Sequence, residues 1–527
     1  MKLNSFKMAI VSPVVFCAAS AYWADSTLKL DPATLHVIGE VDQRFQSYNI
    51  EMLEVTGGQF WKPYQPSQIQ AANSNAAASN PAIGTAGNLY EYRPPINLEN
   101  NRLRKLAAAL GPVYVRLSGT WANSTYFYNA DEPPPPTPPP GFKGVLTRKE
   151  WKSVVDFAKL ADAELVTSFA TSPGTRRADG VWTPDQARSF LAYSRSIGGR
   201  IAATEFMNEP NFAAVSRGAP AGYDAAAFGR DIAIFRPFLK ETSPETLFLG
   251  PGSTGEGGPI GVAVNKVKLG SEALLQAAGP VFDVFSYHIY VAASQRCGGW
   301  KPPIGTTAEA ALSEAWLSRP DSVTDFYKGL RDRFEPGKPL WVTEMADAAC
   351  GGNPWASTFL DTFRYLDQHA TLAQQGVSVV MHNTLVGSDY GLLDETSFTP
   401  RPNYWAALLF KALMGTTVLK PPSAPDEGLR VYAHCLKNLP GGVAILALNT
   451  NRDESRTLAV SAPSQRYTLT SSDMNMRVDL NGNPLNLQAD GSIPKLASAG
   501  TSAGSITLPA ASITFLAVPE AHNASCH

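Results

Sequence analysis

Between about residue 45 and residue 415, short apolar runs alternate with longer segments of helical periodicity. Eight such runs predict β-strands at 45–51, 113–117, 164–169, 203–207, 247–250, 282–289, 339–343 and 377–383. A strand followed by a helix, repeated, is typical of a parallel sheet, and eight repeats predict a (β/α)8 TIM barrel over residues 41–415. Two helices are clear: 147–161, which opens on Thr147 with Glu150 three residues on, and 403–414, which ends at Gly415.

A smaller second domain is expected after the barrel, because 527 residues exceed what one barrel usually needs. Residues 416–527 contain short alternating runs separated by turn residues, at 429–434, 442–448, 466–469 and 512–518. This texture predicts a β-sandwich. An early run at 27–37, within 25–40, precedes the first barrel strand and is predicted to join that sandwich.

The N-terminal residues have the layout of a secretory signal. Two lysines precede an apolar stretch at 8–18 and small residues at 19–21, which predicts a signal peptide over 1–24. A lipoprotein signal at Cys17 is disfavoured, because residues 14–16 lack the small residue expected before a modified cysteine. No later stretch is long and apolar enough to span a bilayer. We therefore expect a soluble protein that is secreted or periplasmic, with no membrane partner in the mature form.

The four cysteines that follow the signal are Cys297, Cys350, Cys435 and Cys526. An even number suits an oxidising compartment, and three pairings are formally open. Chain order favours Cys297 with Cys350 and Cys435 with Cys526. Free buried thiols are the alternative.

The charge balance indicates which partners to expect. Residues of both signs are dispersed and the net charge is −2, which gives no basic field for nucleic acid. The partner expected is a carbohydrate substrate. Two glycosylation sequons, at Asn123 and Asn523, matter only if the host glycosylates.

Two long connections follow the first two predicted strands, at 56–98 and 118–146. Loops at the carboxyl ends of barrel strands rise over the catalytic face. The second contains the proline-rich stretch 133–140, which is stiff as a polyproline II segment. It is either a surface spacer or a rigid wall at one end of a substrate cleft.

Two of the apolar runs lead into glutamates that are remote from each other in sequence, Glu209 and Glu344. Because strand ends converge on one face of a barrel, both carboxyl groups can flank one glycosidic bond. One would protonate the departing oxygen, and the other would attack the sugar or activate water. Pro210 lacks a backbone donor and ends the strand after Glu209. The alternative is that each glutamate is a solvated loop residue.

The chain resembles glycoside hydrolase family 79, the heparanase and β-glucuronidase family among the clan A retaining glycosidases. The resemblance rests on five motifs: Tyr-Val-Arg-Leu-Ser-Gly-Thr at 114–120, Asn-Glu-Pro-Asn at 208–211, Tyr-His-Ile-Tyr at 287–290, Trp-Val-Thr-Glu at 341–344, and Asn-Tyr-Trp-Ala-Ala-Leu-Leu-Phe-Lys at 403–411. It covers most of the chain, and the combination with the late Asn-Tyr-Trp helix is its most specific part.

The resemblance implies roles for residues of these motifs. Glu209 would be the general acid/base and Glu344 the nucleophile, so that configuration is retained through a covalent glycosyl-enzyme. Asn208 would hold the sugar 2-hydroxyl. Tyr290 would orient the nucleophile with His288 beside it, although packing inside the barrel is the alternative for both.

Three further positions are candidates. Arg116 falls where such barrels place a charge partner for the nucleophile, with a structural ion pair as the alternative. Thr120, which closes its motif, and Glu51, which ends the first predicted strand, are candidates for contacts with the substrate.

A glucuronic acid ring carries a fixed carboxylate, which must be met by hydrogen-bond donors. Relatives in the family supply a tyrosine, two backbone amides at consecutive glycines after the nucleophile, and a second tyrosine after the last strand. Gly351, Gly352 and Tyr390 fit two of these three features. No tyrosine follows Glu344 in residues 345–350, and this departure bears on the sugar more than on the reaction.

These observations predict an exo-acting β-glucuronidase that releases terminal glucuronic acid or its 4-O-methyl derivative. An endo-acting, heparanase-like enzyme and a β-glycosidase for a neutral sugar are the alternatives. A silent carbohydrate-binding protein predicts a lost carboxylate, whereas both are present. No cofactor and no metal are expected, since the seven histidines lack ligand-type spacing.

Overall fold

The computed structural model describes residues 27–73, 89–213, 218–260, 269–299, 303–424 and 427–527. The predicted signal peptide and Cys17 lie outside the described residues. Eight parallel strands close into a barrel in chain order. These barrel strands, called first to eighth below, are Gln46–Glu51, Val113–Ser118, Ala163–Ser168, Ile201–Glu205, Leu247–Ser253, Val284–Ile289, Leu340–Met345 and Val377–His382.

A helix follows each barrel strand before the next strand begins. The main helices are Asn101–Ala109, Arg148–Leu160, Asp185–Ser196, Ala225–Thr242, Ser271–Ala278, Arg319–Phe334, Phe359–Gln374 and Pro402–Leu413. Strand and helix alternate eight times around one closed sheet, so the predicted TIM barrel is confirmed.

Two predicted helix ends have different outcomes. Helix Arg148–Leu160 begins as expected: the Thr147 hydroxyl accepts from the Glu150 amide at 3.2 Å, and the Glu150 carboxylate accepts from the Thr147 amide at 2.7 Å. The last helix ends at Leu413, within one residue of the predicted end at 414, but Gly415 is not its cap. The chain passes directly into the strand Met414–Leu419, where a Cβ at Gly415 would lie 2.6 Å from the Cys435 carbonyl oxygen. The glycine therefore allows close strand approach and does not cap the helix.

The C-terminal residues form two sheets. The larger one contains Val37–Glu40, Met414–Leu419, Leu429–Leu436, Val443–Asn449, Ser512–Val518, Ser464–Thr470, Asp479–Leu480 and Asn483–Pro484 in spatial order, with Ala499–Thr501 beside Ser464–Thr470. The smaller one contains Leu28–Leu30, Arg456–Val460 and Gly504–Leu508. Leu458 and Ile506 of the smaller sheet share a core with Ile445 and Leu516 of the larger one, as in a β-sandwich.

The N-terminal segment joins this sandwich, but as two strands and not as one. Leu28–Leu30 enters the smaller sheet and Val37–Glu40 forms an edge of the larger one. A turn of 3-10 helix at Pro32–Thr34 separates them, with the Asp31 carboxylate accepting from the Ala33 amide. Proline at the start of that turn interrupts the run that the sequence predicted as continuous.

The long loops carry structure of their own above the barrel. The first contains helix Met52–Thr56, an antiparallel hairpin of Gly58–Trp61 with Tyr90–Arg93, and helix Pro66–Asn73. The second contains the parallel pair Thr125–Tyr128 and Gly144–Thr147. The proline-rich stretch 133–140 between this pair is mostly exposed, which favours its reading as a surface spacer.

The barrel interior is apolar near the N-terminal ends of its strands and polar toward their C-terminal ends. The apolar layer contains Tyr114, Val166, Ala203, Leu249, Val284, Trp341, Val379 and Met381. Because side chains alternate along a strand, residues two positions further on face the same interior one layer higher. Arg116, Glu205 and Ser286 occupy those positions and are buried.

The two sequon asparagines are buried in the folded chain. Asn123 and Asn523 are at most 2% exposed, and each side-chain amide donates to backbone carbonyls, so neither sequon offers its nitrogen in the folded chain.

Within the described ranges, no helix has the length and apolar character needed to cross a membrane.

Candidate active site

The structure brings Glu209 and Glu344 together at the C-terminal face of the barrel. Glu344 belongs to the seventh strand, and Glu209 lies four residues beyond the end of the fourth. One carboxylate oxygen of each and one ring nitrogen of His288 lie within 4.8 Å of one another. Carboxyl groups about 5–5.5 Å apart are typical of retaining glycosidases, whereas inverting ones leave a wider gap for water.

Glu209 has an unusual backbone. Its φ is +45°, a left-handed conformation that a non-glycine residue seldom adopts. The Glu209 carbonyl accepts from the Phe212 amide at 2.8 Å, which closes the turn through Pro210. The turn directs this side chain toward the barrel axis, and strain of this kind is often found at functional sites.

Arg116 connects the two halves of the site from inside the barrel. Its guanidinium is 1% exposed and lies 3.0 Å from Glu344 and 2.8 Å from Glu205. It also donates to the Asn208 side-chain oxygen at 2.7 Å. Arg116 is thus both a charge partner of Glu344 and a member of a structural ion pair with Glu205.

Glu205 is a buried acid whose role the sequence reasoning missed. It accepts from Thr343 at 2.7 Å and from Ser286 at 3.2 Å in addition to Arg116. Burial alone would raise the pKa of Glu205, but the charge of Arg116 and the hydrogen bonds from Thr343 and Arg116 help to offset that effect, and the pKa is lowered. Its position two residues after the inward-facing Ala203 is the signal that could have found it.

Tyr290 and Asn383 hold the other side of Glu344. The Tyr290 hydroxyl donates to Glu344 at 2.5 Å. The Asn383 amide nitrogen lies 3.0 Å from the Tyr290 oxygen and 3.1 Å from the Tyr390 oxygen, and Asn49 holds the Asn383 amide oxygen at 3.1 Å. Asn383, at the end of the eighth predicted strand, was not singled out from the sequence.

His288 bridges Glu209, Glu344 and Arg116. Its Nδ1 is 3.1 Å from Glu209 and 3.7 Å from Glu344, and its Nε2 is 3.4 Å from an Arg116 nitrogen. An arginine can only donate, so Nε2 accepts and Nδ1 carries the proton that it donates to Glu209. His288 therefore orients Glu209, with its ring fully buried.

Asn208 is fixed by two neighbours. Asn123 donates to its carbonyl and accepts from its amide, both at 2.8 Å, while Arg116 holds its side-chain oxygen. Asn208 is 2% exposed, beside Glu209 in sequence. The positioning role of Asn123 was also missed, because the sequence presented it only as a sequon.

Glu51, the last residue of the first barrel strand, shares the side-chain amide of Asn383 with Glu344. One of its oxygens accepts from Asn383 at 3.2 Å, and the other is buried without a hydrogen-bond partner in the structure. Burial first, and then the negative charge of Glu344, raise the pKa of Glu51 well above its ordinary value. A Cβ at Gly119 would lie 1.6 Å from the unpartnered oxygen, so Gly119 makes room for this carboxyl group.

Gly351 and Gly352 form a turn after the seventh strand with φ of +79° and +89°. A Cβ on Gly352 would lie 3.1 Å from the Tyr390 ring and 3.1 Å from Asp347, so only glycine fits there without displacement. The structure thus brings Gly351, Gly352 and Tyr390 together. The disulfide Cys297–Cys350 anchors the start of this turn, and Cys435–Cys526 lies in the sandwich.

Thr120 lines an open cavity of about 540 Å³ beside Glu209. It is therefore at the mouth of the site and not among the buried carboxylates.

Glu209, His288 and Glu344 are also close enough to offer three ligand atoms to a metal ion. Arg116, 3.0 Å from Glu344, places a fixed positive charge at the same point. The donor set therefore suits proton transfer and nucleophilic attack better than cation binding.

Several known proteins are similar to this chain in sequence. No protein-family model matches the chain. Heparanase of Mus musculus is 29% identical over 81% of this chain and 88% of its own, and hyaluronoglucuronidase of Hirudo nipponia is 27% identical over 87% and 98%. Heparanase-like protein 1 of Arabidopsis thaliana is 28% identical over 71% of this chain and 68% of its own.

The chain is thus similar in sequence to heparanases, to a heparanase-like protein and to a hyaluronoglucuronidase. The resemblance to glycoside hydrolase family 79 is thereby confirmed, and so is the prediction that the chain is a glycoside hydrolase. An α-L-arabinofuranosidase structure from Thermotoga maritima superposes with a TM-score of 0.61 at 14% identity, covering 93% of this chain and 99% of that one. That likeness supports the barrel-and-sandwich fold alone.

Proposed function

We propose that this heparanase homologue is an exported, retaining β-glucuronidase in which Glu344 is the nucleophile and Glu209 the general acid/base. The observation that carries the proposal is the approach of the two carboxylates to within 4.8 Å, with Arg116 on Glu344 and His288 on Glu209. The short separation leaves no room for a water molecule between a sugar and its nucleophile, as inversion would require.

The reaction follows from the contacts of each carboxylate. The Glu344 carboxylate, paired with Arg116, attacks the anomeric carbon while Glu209, acting as the acid, gives its proton to the departing oxygen. A covalent glycosyl ester on Glu344 results. Glu209, now ionised, takes a proton from water, which attacks the same carbon and releases the sugar with its original configuration.

Neighbouring residues assist these steps. The Tyr290 hydrogen bond fixes the Glu344 oxygen that does not contact Arg116. Asn208 holds the sugar 2-hydroxyl, and Glu51 with its raised pKa can give a hydrogen bond to a ring hydroxyl.

The sugar class is inferred from the turn after the nucleophile and from the relatives. The backbone amides of Gly351 and Gly352 and the hydroxyl of Tyr390 supply donors for a glucuronate carboxylate. The name hyaluronoglucuronidase, carried by one relative, supports a glucuronide-cleaving activity. The family tyrosine after the nucleophile is missing, and buried Met345, Ala346 and Ala348 stand in its place.

Exo-action is proposed because structured loops rise over the catalytic face at the first and second strands. Endo-cleavage of a glycosaminoglycan is the second candidate, because the relatives are named heparanase and hyaluronoglucuronidase.

Hydrolysis of a panel of 4-nitrophenyl β-glycosides tests the sugar class. We expect the glucuronide to be cleaved faster than the glucoside, galactoside and xyloside. A preference for a neutral sugar would refute the glucuronidase and leave the retaining mechanism in place.

The sizes of early products from a glucuronate-containing polysaccharide decide between the two modes. Single sugars from the first time point indicate exo-action, whereas a ladder of oligosaccharides would establish the endo reading.

A further inference from the structure

The cavity beside Glu209 has an aromatic lining. Trp61, Tyr90, Trp121 and Phe212 all contribute to its wall, and each is half-buried, so part of each ring remains open. The ring centroids of Trp61 and Tyr90 are 4.7 Å apart. They lie 6.5 Å and 6.4 Å, respectively, from the ring centroid of Trp121. Aromatic rings arranged around a cavity of about 540 Å³ can accommodate a ligand ring of sugar size.

The position of Glu209 assigns the cavity to one side of the scissile bond. Glu209 lines the cavity, whereas Glu344 does not. A general acid must contact the oxygen of the leaving group, so the group attached to that oxygen extends along the open side of Glu209. The aromatic cavity is therefore on the leaving-group side.

The charge of the lining limits the chemistry of that group. Among the described residues of the cavity wall, Glu209 is the one charged residue. Arg296 approaches the neighbouring turn, with one nitrogen 3.1 Å from a Cβ placed on Gly351, but it is 5% exposed and paired with Asp389. Against the part of this wall that the structure describes, a sulfate or carboxylate on the leaving group would lose water without gaining a charge-assisted partner.

The rings are held in place before any ligand arrives. Trp61 and Tyr90 are directly opposite each other in the hairpin, and Phe60 packs edge-on against Trp121 at 5.2 Å. A Cβ on Gly351 would lie 2.7 Å from the Trp61 side chain, so the glycine turn supports this ring. Fixed rings lower the entropy cost of binding.

We propose that the cavity formed by Trp61, Tyr90, Trp121 and Phe212 binds the leaving group as an uncharged ring stacked on aromatic faces. This inference rests on the proposed role of Glu209 as the acid. Both an aryl aglycone and an unsulfated sugar with an apolar face have the required chemistry. A sulfated leaving sugar does not.

The test compares two leaving groups on the same glycon. Trp121→Ala is measured on a 4-nitrophenyl glycoside, whose ring would fill the cavity, and on the glycosyl fluoride, which has no ring to stack. We expect kcat/KM to fall about tenfold, or ~1.4 kcal/mol, on the aryl substrate and to change less than about twofold on the fluoride. Trp121→Phe should restore most of the loss, and thermal unfolding checks that each variant is folded.

Tyr92→Ala is the matched control, since Tyr92 belongs to the same hairpin, is 64% exposed and does not line the cavity. Equal losses on both substrates in Trp121→Ala would overturn the proposal. If Trp121→Ala does not fold, Trp61→Ala takes its place in the same comparison.

Disaccharides then separate the two sources of a ring. We expect the wild type to cleave a disaccharide with an unsulfated leaving sugar at least about tenfold faster than its sulfated counterpart, and a preference for the sulfated one would refute the inference. If no glucuronide is cleaved, the proposed sugar class fails, and the same comparisons on the glycoside that is cleaved still decide the leaving-group site.

Discussion

At the scale of single residues, the site is organised around one buried cation that serves two carboxylates. Arg116 comes from the second barrel strand, Glu205 from the fourth and Glu344 from the seventh. Transferring three charges from water costs free energy, which their mutual attraction and hydrogen bonds must offset. The arrangement places the positive charge of Arg116 directly beside Glu344, the proposed nucleophile.

Removing the charge of Glu205 should destabilise the barrel. In Glu205→Gln, Arg116 loses one of its two ion pairs, and we expect the free energy of unfolding to fall by about 3 kcal/mol. Guanidinium denaturation measures this change. Glu164→Gln is the matched control, because Glu164 pairs with Arg200 at 2.8 Å on the surface, and it should change stability by less than about 1 kcal/mol. Equal effects of the two substitutions would contradict the structural role of Glu205.

At the scale of elements, the disulfide Cys297–Cys350 joins the loop after the sixth strand to the loop after the seventh. Cys350 lines the cavity beside Glu209 and precedes the glycine turn. The other disulfide, Cys435–Cys526, joins a sandwich strand to the C-terminal segment. The chain thus contains one disulfide near the site and one away from it.

Replacing each pair by serines should separate stability from activity. The bridges span 53 and 91 residues, and loss of either should reduce the free energy of unfolding by up to about 4 kcal/mol. We expect Cys297→Ser with Cys350→Ser also to raise KM, because the turn at Gly351 loses its anchor. Cys435→Ser with Cys526→Ser should leave KM unchanged. A larger KM change in the second pair would contradict this assignment.

Asp347 couples the glycine turn to pH. It is fully buried, accepts from the Asn353 amide at 3.0 Å, and its pKa is raised to about 7 by burial and by the charge of Asp361, against the effect of Arg364. Because the folded state holds the proton to higher pH than the unfolded state, the contribution of Asp347 to stability falls as pH rises from about 4 to about 7.

Asp347→Asn imitates the protonated form and should remove that dependence. We expect the variant to match the wild type near pH 4 and to become progressively more stable than it up to about pH 7. Urea denaturation across this range measures the difference. A constant difference would show that Asp347 does not titrate in this window.

The alternation of strand and helix was readable from the sequence because most barrel strands are buried and rich in apolar residues, although the first, Gln46–Glu51, is mostly polar. All eight predicted strands overlap the observed ones. The pairing of Arg116 with Glu205 was not readable, since it depends on which strand faces which across the closed barrel. Asn123 and Asn383 act through contacts with Asn208 and Tyr290 that local sequence does not encode.

At the scale of the whole molecule, the sandwich is fastened to the barrel by its larger sheet, which is buried on both faces. Leu446 and Phe515 pack with the barrel helices, whereas Ile445 and Leu516 face the smaller sheet. One guanidinium nitrogen of Arg430, in this sheet, donates to both carboxylate oxygens of Asp367, in helix Phe359–Gln374, at 2.9 Å. Asp367 is buried, so this pair links the two domains in a dry interface.

Removing Arg430 should weaken that link. Arg430→Met leaves Asp367 buried without its cation, and we expect a loss of about 3 kcal/mol in the free energy of unfolding. Differential scanning calorimetry would detect the loss as a lower unfolding temperature. Arg456→Met, which removes an arginine paired with the exposed Glu454 of the same domain, should cost less than about 1 kcal/mol. Equal losses in the two variants would show that the interdomain pair stabilises the protein no more than a surface pair does.

The proposed roles of Glu344 as nucleophile and Glu209 as general acid/base can be tested by trapping the covalent glycosyl-enzyme. A 2-deoxy-2-fluoro-β-glucuronyl fluoride slows both steps by destabilising the oxocarbenium-like transition state, but its leaving group keeps the first step faster. The enzyme should then accumulate as a covalent ester, which mass spectrometry of its peptides can locate. We expect the label on Glu344, and a label on Glu209 or on any other residue would contradict the proposed role of Glu344 as the nucleophile.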